Sequence, residues 1–143
     1  MTRAFGRWTL IVLRTLFGLF WLFAGINKLR GRWLTTDKLE QIYLQRLTEL
    51  EPGTLQAGYL ELFALPLYRP IAWILTIAEF SVALGLLLGF KTRWAAGIAL
   101  FILFNLSIGG YYDASLLPFF VLAIIFVWKP TGEWFGLDQI SRR

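Results

Sequence analysis

Apolar and polar positions fall along this chain in long blocks, four of them almost wholly apolar: about residues 8–27, 71–90, 94–112 and 114–128. An α-helix rises ~1.5 Å per residue and the hydrocarbon core of a bilayer is ~30 Å thick, so the first two blocks are long enough to cross it. The last two are short. They cross only if Tyr111, Tyr112 and Ala114 extend them or if the bilayer thins locally. The first block begins like a secretory leader, but it is too long and no small-x-small cleavage pattern follows, so it reads as a retained helix.

The segment 33–69 has a different rhythm. Leu39, Ile42, Tyr43, Leu47 and Leu50 recur at three-to-four spacing, with Lys38, Gln41, Gln45 and Arg46 among them. That pattern predicts an amphipathic helix. Asp37 with Glu40 three residues later suits its start, and Glu51-Pro52-Gly53 its end. A second amphipathic stretch covers about 54–64. Pro66 and Pro70 then bracket the entry to the second apolar block, where a missing N–H costs little. Two readings of 33–69 stand: helices lying on the membrane surface, or a cap over a site. The whole pattern predicts an all-α membrane protein, a single-domain four-helix transmembrane bundle with this amphipathic segment between the first and second spans. The chain carries no internal repeat and no low-complexity tract.

Composition strengthens the membrane reading. Hydrophobic residues make up 57% of the 143 residues, above the roughly 45–50% of soluble chains, and a globule this small cannot hide them. Fourteen Lys and Arg face nine Asp and Glu, for a net charge of +5. These charges flank the apolar blocks and form no basic stripe, so they point to lipid headgroups and not to nucleic acid. Trp8, Trp33, Trp73, Trp94, Tyr111, Tyr112, Trp128 and Trp134 lie where apolar runs meet polar residues, as in an aromatic belt. Arg3, Arg7, Lys91, Arg93, Lys129, Arg142 and Arg143 fall on one side, against Lys28, Arg30 and Arg32 beside the first span on the other. The positive-inside rule weighs this toward both termini in the cytoplasm.

The chain has no Cys and no His. It therefore offers no thiol nucleophile and no haem or iron–sulfur cluster held by its own Cys or His. No metal cluster, phosphate loop or nucleophile–base arrangement is visible, and no covalent cofactor is expected. Ionisable groups inside a span each need a reason. Arg14 and Glu79 stand out, with Asn105 a neutral polar companion and Asp113 at an interface. At ~100° per residue, Arg14, Gly18, Gly25 and Lys28 share one face of the first helix. Arg14 either looks into the bundle or snorkels back to the nearer interface. Glu79 lies near the middle of the second span, and antiparallel packing suggests an Arg14–Glu79 pair in the interior. Gly85 and Gly89 form a GxxxG, which with Gly18 and Gly25 reads as close helix packing.

The run from Arg14 through Gly18 and Gly25 to Lys28 resembles the first-helix pattern of the DoxX/DoxD-like family. The run from Glu79 through Gly85 and Gly89 to Thr92-Arg93 resembles that family's acidic residue, glycine-rich stretch and Thr-Arg turn, in the same order. The resemblance implies a small four-helix protein of a prokaryotic plasma membrane. It also implies kinship with proteins that include the small subunit of a thiosulfate:quinone oxidoreductase. The expectation that follows is a redox-associated membrane protein, a quinone-interacting subunit of an oxidoreductase. Arg14, Lys28, Glu79, Arg93 and Asn105 are the candidate quinone-binding residues, and membrane lipids and other subunits of a complex the partners. The alternative is a non-catalytic accessory or scaffold subunit of a larger membrane complex.

Overall fold

The structure, a computed structural model, describes residues 2–111 and 113–140, with side chains from Phe5 onward. Tyr112, Arg142, Arg143 and the Arg3 side chain, read above as interface or topology residues, lie outside that description. The described residues are helix and turn throughout: α1 (Thr2–Arg30), α2 (Lys38–Glu49), α3 (Leu55–Tyr59), α4 (Tyr68–Leu88), α5 (Thr92–Ile108), α6 (Leu117–Trp128) and α7 (Thr131–Trp134). A single wider turn, Leu60–Ala64, continues α3, closed by Leu65 N–H donating to Leu60 O at 2.8 Å.

The first apolar block becomes a helix longer than its apolar run, because Ala, Leu, Phe and Arg around it all continue a helix. The segments Phe5–Arg30 and Tyr68–Leu88 are long and apolar enough to cross a membrane, whereas Thr92–Ile108 and Ala114–Trp128 are shorter apolar helices. Gly109-Gly110 ends α5 four residues before the sequence pattern predicts. Thr54 caps α3 by accepting from Ala57 N–H at 3.3 Å. The capping box expected of Asp37 does not form. Its carboxylate accepts instead from the Tyr68 hydroxyl at 2.6 Å and from Arg69 at 3.2 Å, tying the entry of α2 to the start of α4.

The long helices pack in ring order, α1 on α4, α4 on α5, α5 on α6, and α6 back on α1. The core between them holds Phe17 and Trp21 of α1, Val82 and Leu86 of α4, Ala96, Ala99 and Leu103 of α5, and Ala123 and Phe126 of α6. Alanines dominate α5's inner face because small residues let backbones approach closely where lipid supplies no hydrophobic drive. The outer surface stays apolar: Leu16, Ile74, Ile77, Phe101 and Leu117 are exposed, a distribution that suits hydrocarbon and would aggregate in water.

The glycines set the register. A Cβ on Gly18 would stand 2.9 Å from Leu87, and one on Gly25 would stand 3.0 Å from Phe80. α1 and α4 therefore run antiparallel, with residue 18 beside 87 and residue 25 beside 80. Gly89 caps α4 in the left-handed region (φ 63°). It also sits so close to Gly136 that a Cβ would lie 2.7 Å from the latter's Cα.

Gly85 and Gly97 give a direct test. A Cβ on Gly85 would lie 2.6 Å from that of Ala95, while one on Gly97 meets nothing within 4 Å. Alanine in a helix gains up to about 1 kcal/mol over glycine, and overpacking costs about 1–3 kcal/mol. Gly85→Ala is therefore predicted to lower the thermal unfolding midpoint in detergent, and Gly97→Ala to leave it unchanged or raise it. Equal midpoints for the two variants would contradict this packing.

Candidate functional site

The register that places Gly25 beneath Phe80 brings the last turn of α1 alongside the middle of α4. There Lys28 Nζ donates to Glu79 Oε1 at 2.5 Å, with side-chain exposures of 13% and 4%. Lys28 Nζ also lies 4.8 Å from the centre of the Trp33 ring. Glu79 Oε2 is buried and has no hydrogen-bond partner among the described residues. The ion pair thus leaves one acceptor oxygen unused inside an apolar bundle, where an unmet polar atom costs about 1–3 kcal/mol or more.

This pair stands at the wall of a cavity of about 290 Å³, lined otherwise by apolar and aromatic side chains including Trp33, Tyr43, Leu75, Ile102 and Tyr111. A smaller cavity of about 60 Å³ shares Tyr43, Leu75, Ile102 and Tyr111 with it and adds Tyr59 and Asn105. Tyr111 donates its hydroxyl hydrogen to Ile42 O at 3.2 Å, and Tyr59 donates to Asn105 Oδ1 at 3.1 Å. The Tyr43 hydroxyl bonds to no protein group among the described residues. Burial pushes the Tyr43 phenol well above its usual range, with Tyr59 and Tyr111 nearby adding to the rise. Burial likewise raises Tyr59 and Tyr111. All three remain neutral O–H donors at physiological pH.

α2 borders this space. Its apolar positions Leu39, Ile42 and Tyr43 line the larger cavity, so α2 forms part of its wall. Arg46 fastens it, donating to Gly110 O and to Glu49 at 2.5 Å with its guanidinium 5.3 Å from the centre of the Tyr111 ring. At the other end of α2, hydrogen bonds from Tyr68 and then Arg69 hold the Asp37 carboxyl below the usual carboxylate range.

The Arg14–Glu79 pair expected from the sequence does not form. Arg14 is only 2% exposed, so it does not snorkel. Its Nη1 donates to Thr131 O and its Nη2 to Phe135 O, each at 2.7 Å. The reason is register: Arg14 precedes Lys28 by two heptads, about 21 Å of helix at ~1.5 Å per residue. It therefore reaches the opposite end of the bundle from the Lys28–Glu79 pair. At that end Asp138 accepts from Lys91 N–H at 2.6 Å, Thr92 N–H at 3.1 Å and the Thr92 hydroxyl at 2.9 Å, and its own N–H donates to Gly89 O at 2.9 Å. Arg93 is exposed at the same end, with Nη2 3.5 Å from Trp128 O.

The five candidate residues therefore separate. Lys28 and Glu79 are together, Asn105 borders the adjoining small cavity, and Arg14 and Arg93 stand at the far end. Asn105 also donates to Phe101 O at 2.8 Å, so its amide is engaged on both atoms. The sequence reading did not single out Tyr43 and Tyr111 as site residues, although Tyr43 lies on the apolar face of the predicted amphipathic helix. Thr131, Phe135 and Asp138 carried no signal, since two of them act through backbone carbonyls.

Removing one member of a buried pair strands the other charge, at a cost of about 3–5 kcal/mol. Lys28→Met is therefore expected to lower the denaturation midpoint markedly. Lys28→Met with Glu79→Leu, which removes both charges, should recover most of the loss. A single variant as stable as the parent would mean that the pair is not buried.

Comparison with curated proteins and with solved structures gives no match. The DoxX family model matches residues 9–108, a stretch that runs from the first turns of α1 to the end of α5 and contains Arg14, Lys28, Glu79, Arg93 and Asn105. With an apolar outer surface and helices long enough to cross a bilayer, the chain is a membrane protein belonging to the DoxX family.

Proposed function

We propose that this chain is a quinone-interacting, redox-associated membrane subunit, with the quinone headgroup seated in the cavity under α2. The observation that carries the reading is the Lys28–Glu79 pair on the wall of an apolar cavity, with Glu79 Oε2 lacking a partner. Small-molecule sites combine apolar walls with a few convergent polar groups, usually in ~300–1,000 Å³. At about 290 Å³, with mostly apolar and aromatic walls, this cavity suits a single ring. A bound quinone supplies two-electron, two-proton redox chemistry. The chain's own part is to orient the ring and handle protons. Lys28 Nζ and the neutral Tyr43 hydroxyl are donors suited to carbonyl oxygens, and Glu79 Oε2 is an acceptor suited to a hydroxyl. With no Cys or His in the chain, the electrons come from a partner subunit.

The same proposal includes four membrane crossings, by α1, α4, α5 and α6, with the bilayer thinned around the two shorter helices. The termini then lie on one side, the cytoplasmic one by the distribution of basic residues. A C-terminal reporter active only in the periplasm should stay silent, and a signal from it would overturn this orientation.

Quinone binding is read from quenching of tryptophan fluorescence, with Trp33 in the cavity wall, as a short-tailed quinone is titrated into the protein in nanodiscs. The expected result is saturable quenching. Tyr43→Phe should weaken binding about three- to tenfold, the scale of one hydrogen bond worth ~0.5–1.5 kcal/mol, and Glu79→Gln should weaken it further. Quenching that rises without saturation and ignores both substitutions would remove the quinone reading. If deletion of the chain then disrupted assembly of its complex without altering intrinsic turnover, an accessory role would remain.

A further inference from the structure

We infer that the outer face of α5 carries a glycerophospholipid site, separate from the cavity under α2. Two depressions meet there and share Arg93 and Trp94. One is polar, about 270 Å³, and lined by Lys91, Thr92, Arg93, Glu133 and Asp138 among others. The second is an apolar groove of about 350 Å³ running along the helix past Gly97 and Ile98 to Phe101. An open, half-polar depression with charged walls that meets a shallow apolar groove matches a lipid headgroup followed by an acyl chain. From Trp94 to Phe101 the groove follows about 10 Å of helix at ~1.5 Å per residue, enough for the upper part of one chain.

The chemistry agrees at both ends. Arg93 is exposed, and its 3.5 Å approach to Trp128 O is long for a hydrogen bond. A guanidinium matches a phosphodiester with two parallel donors, and the Lys91 ammonium adds a point charge. Asp138 lines the same depression, but both its oxygens serve Lys91 N–H, Thr92 N–H and the Thr92 hydroxyl. With Glu133 it balances the formal charge of the depression. Two cations and two carboxylates thus line it, and the Arg93 guanidinium, with only a long protein contact among the described residues, is the group offered to a phosphate. Trp94 and Trp128 are each 76% exposed beside it, and exposed indole rings favour the boundary between headgroups and chains. Gly97 lines the groove, and a Cβ there meets no atom of another helix within 4 Å. A larger side chain at 97 would start from this open position in the groove lining and is expected to fill the groove.

The test is lipid retention. The protein is reconstituted in nanodiscs with equal phosphatidylethanolamine, phosphatidylglycerol and diacylglycerol, extracted in mild detergent, and examined by native mass spectrometry. Both phosphate lipids should be retained over diacylglycerol. Gly97→Leu and Arg93→Gln should each reduce retention about tenfold, the scale of one charge-assisted hydrogen bond. Neither should lower the unfolding midpoint or alter quinone quenching, which keeps this site distinguishable from the cavity. The Gly97→Leu arm separates a lipid from free phosphate, which needs no groove. Equal retention of diacylglycerol, retention of phosphatidylglycerol alone, or indifference to Gly97→Leu would overturn the proposal. So would a change in oligomeric mass with Gly97→Leu at constant lipid, because the groove would then hold a second helix.

Discussion

The antiparallel register of α1 on α4 decides where every interior charge falls. Two independent terms hold it. Gly18 and Gly25 lie so close to Leu87 and Phe80 that a Cβ would stand 2.9 and 3.0 Å from them and crowd both side chains, and Lys28 meets Glu79 at 2.5 Å. A slip of one turn, ~5.4 Å, would drive the Phe80 ring into a side chain bulkier than glycine and strand the Glu79 carboxylate in apolar surroundings. Steric fit and charge compensation thus select the same alignment, the agreement between local and global preferences expected of a sequence with one native state.

That alignment makes the two ends of the bundle unlike. At the terminal end, Arg14 is tied to Thr131 and Phe135, and Asp138 ties Lys91, Thr92 and Gly89 together. Arg14 Nε and Thr131 Oγ1 stay without partners among the described residues, but the other bonds form a clasp that holds the last described residues under α1 and α5. At the other end, Glu79 Oε2 has no partner among the described residues, Tyr43 lines the same cavity, and α2 is fastened beside it at separate points. Both ends leave buried polar atoms without partners among the described residues; what sets the α2 end apart is the apolar cavity beside Glu79, and the proposed site rests on that cavity.

Much of this was legible in the chain. Block lengths marked the two long helices, three-to-four spacing marked α2, and the glycines marked close packing, because each signal is local and periodic. The arrangement of the interior charges was not legible. Arg14, Glu79 and Lys28 were all recognisable as costly or well placed, yet which of them meet depends on the axial register of two helices, and that is fixed by Phe80 and Leu87 entering glycine notches far apart in sequence. The clasp was equally hidden. Carbonyls of Thr131 and Phe135 carry no residue-type signature, and Asp138 caps a helix that begins more than forty residues earlier. Asp37 illustrates the reverse case, a well-placed local capping signal overridden by a tertiary partner, Tyr68.

The central claim is that a quinone headgroup sits between Lys28, Glu79 and Tyr43 under α2. The most direct measurement is photolabelling of the protein in nanodiscs with an azido-quinone, with the labelled residues mapped by mass spectrometry. The account predicts labels on Tyr43, Leu75, Ile102 or Tyr111, competed away by unlabelled quinone. Labels confined to the lipid-facing surfaces of α1 and α5, unaffected by competitor, would contradict it.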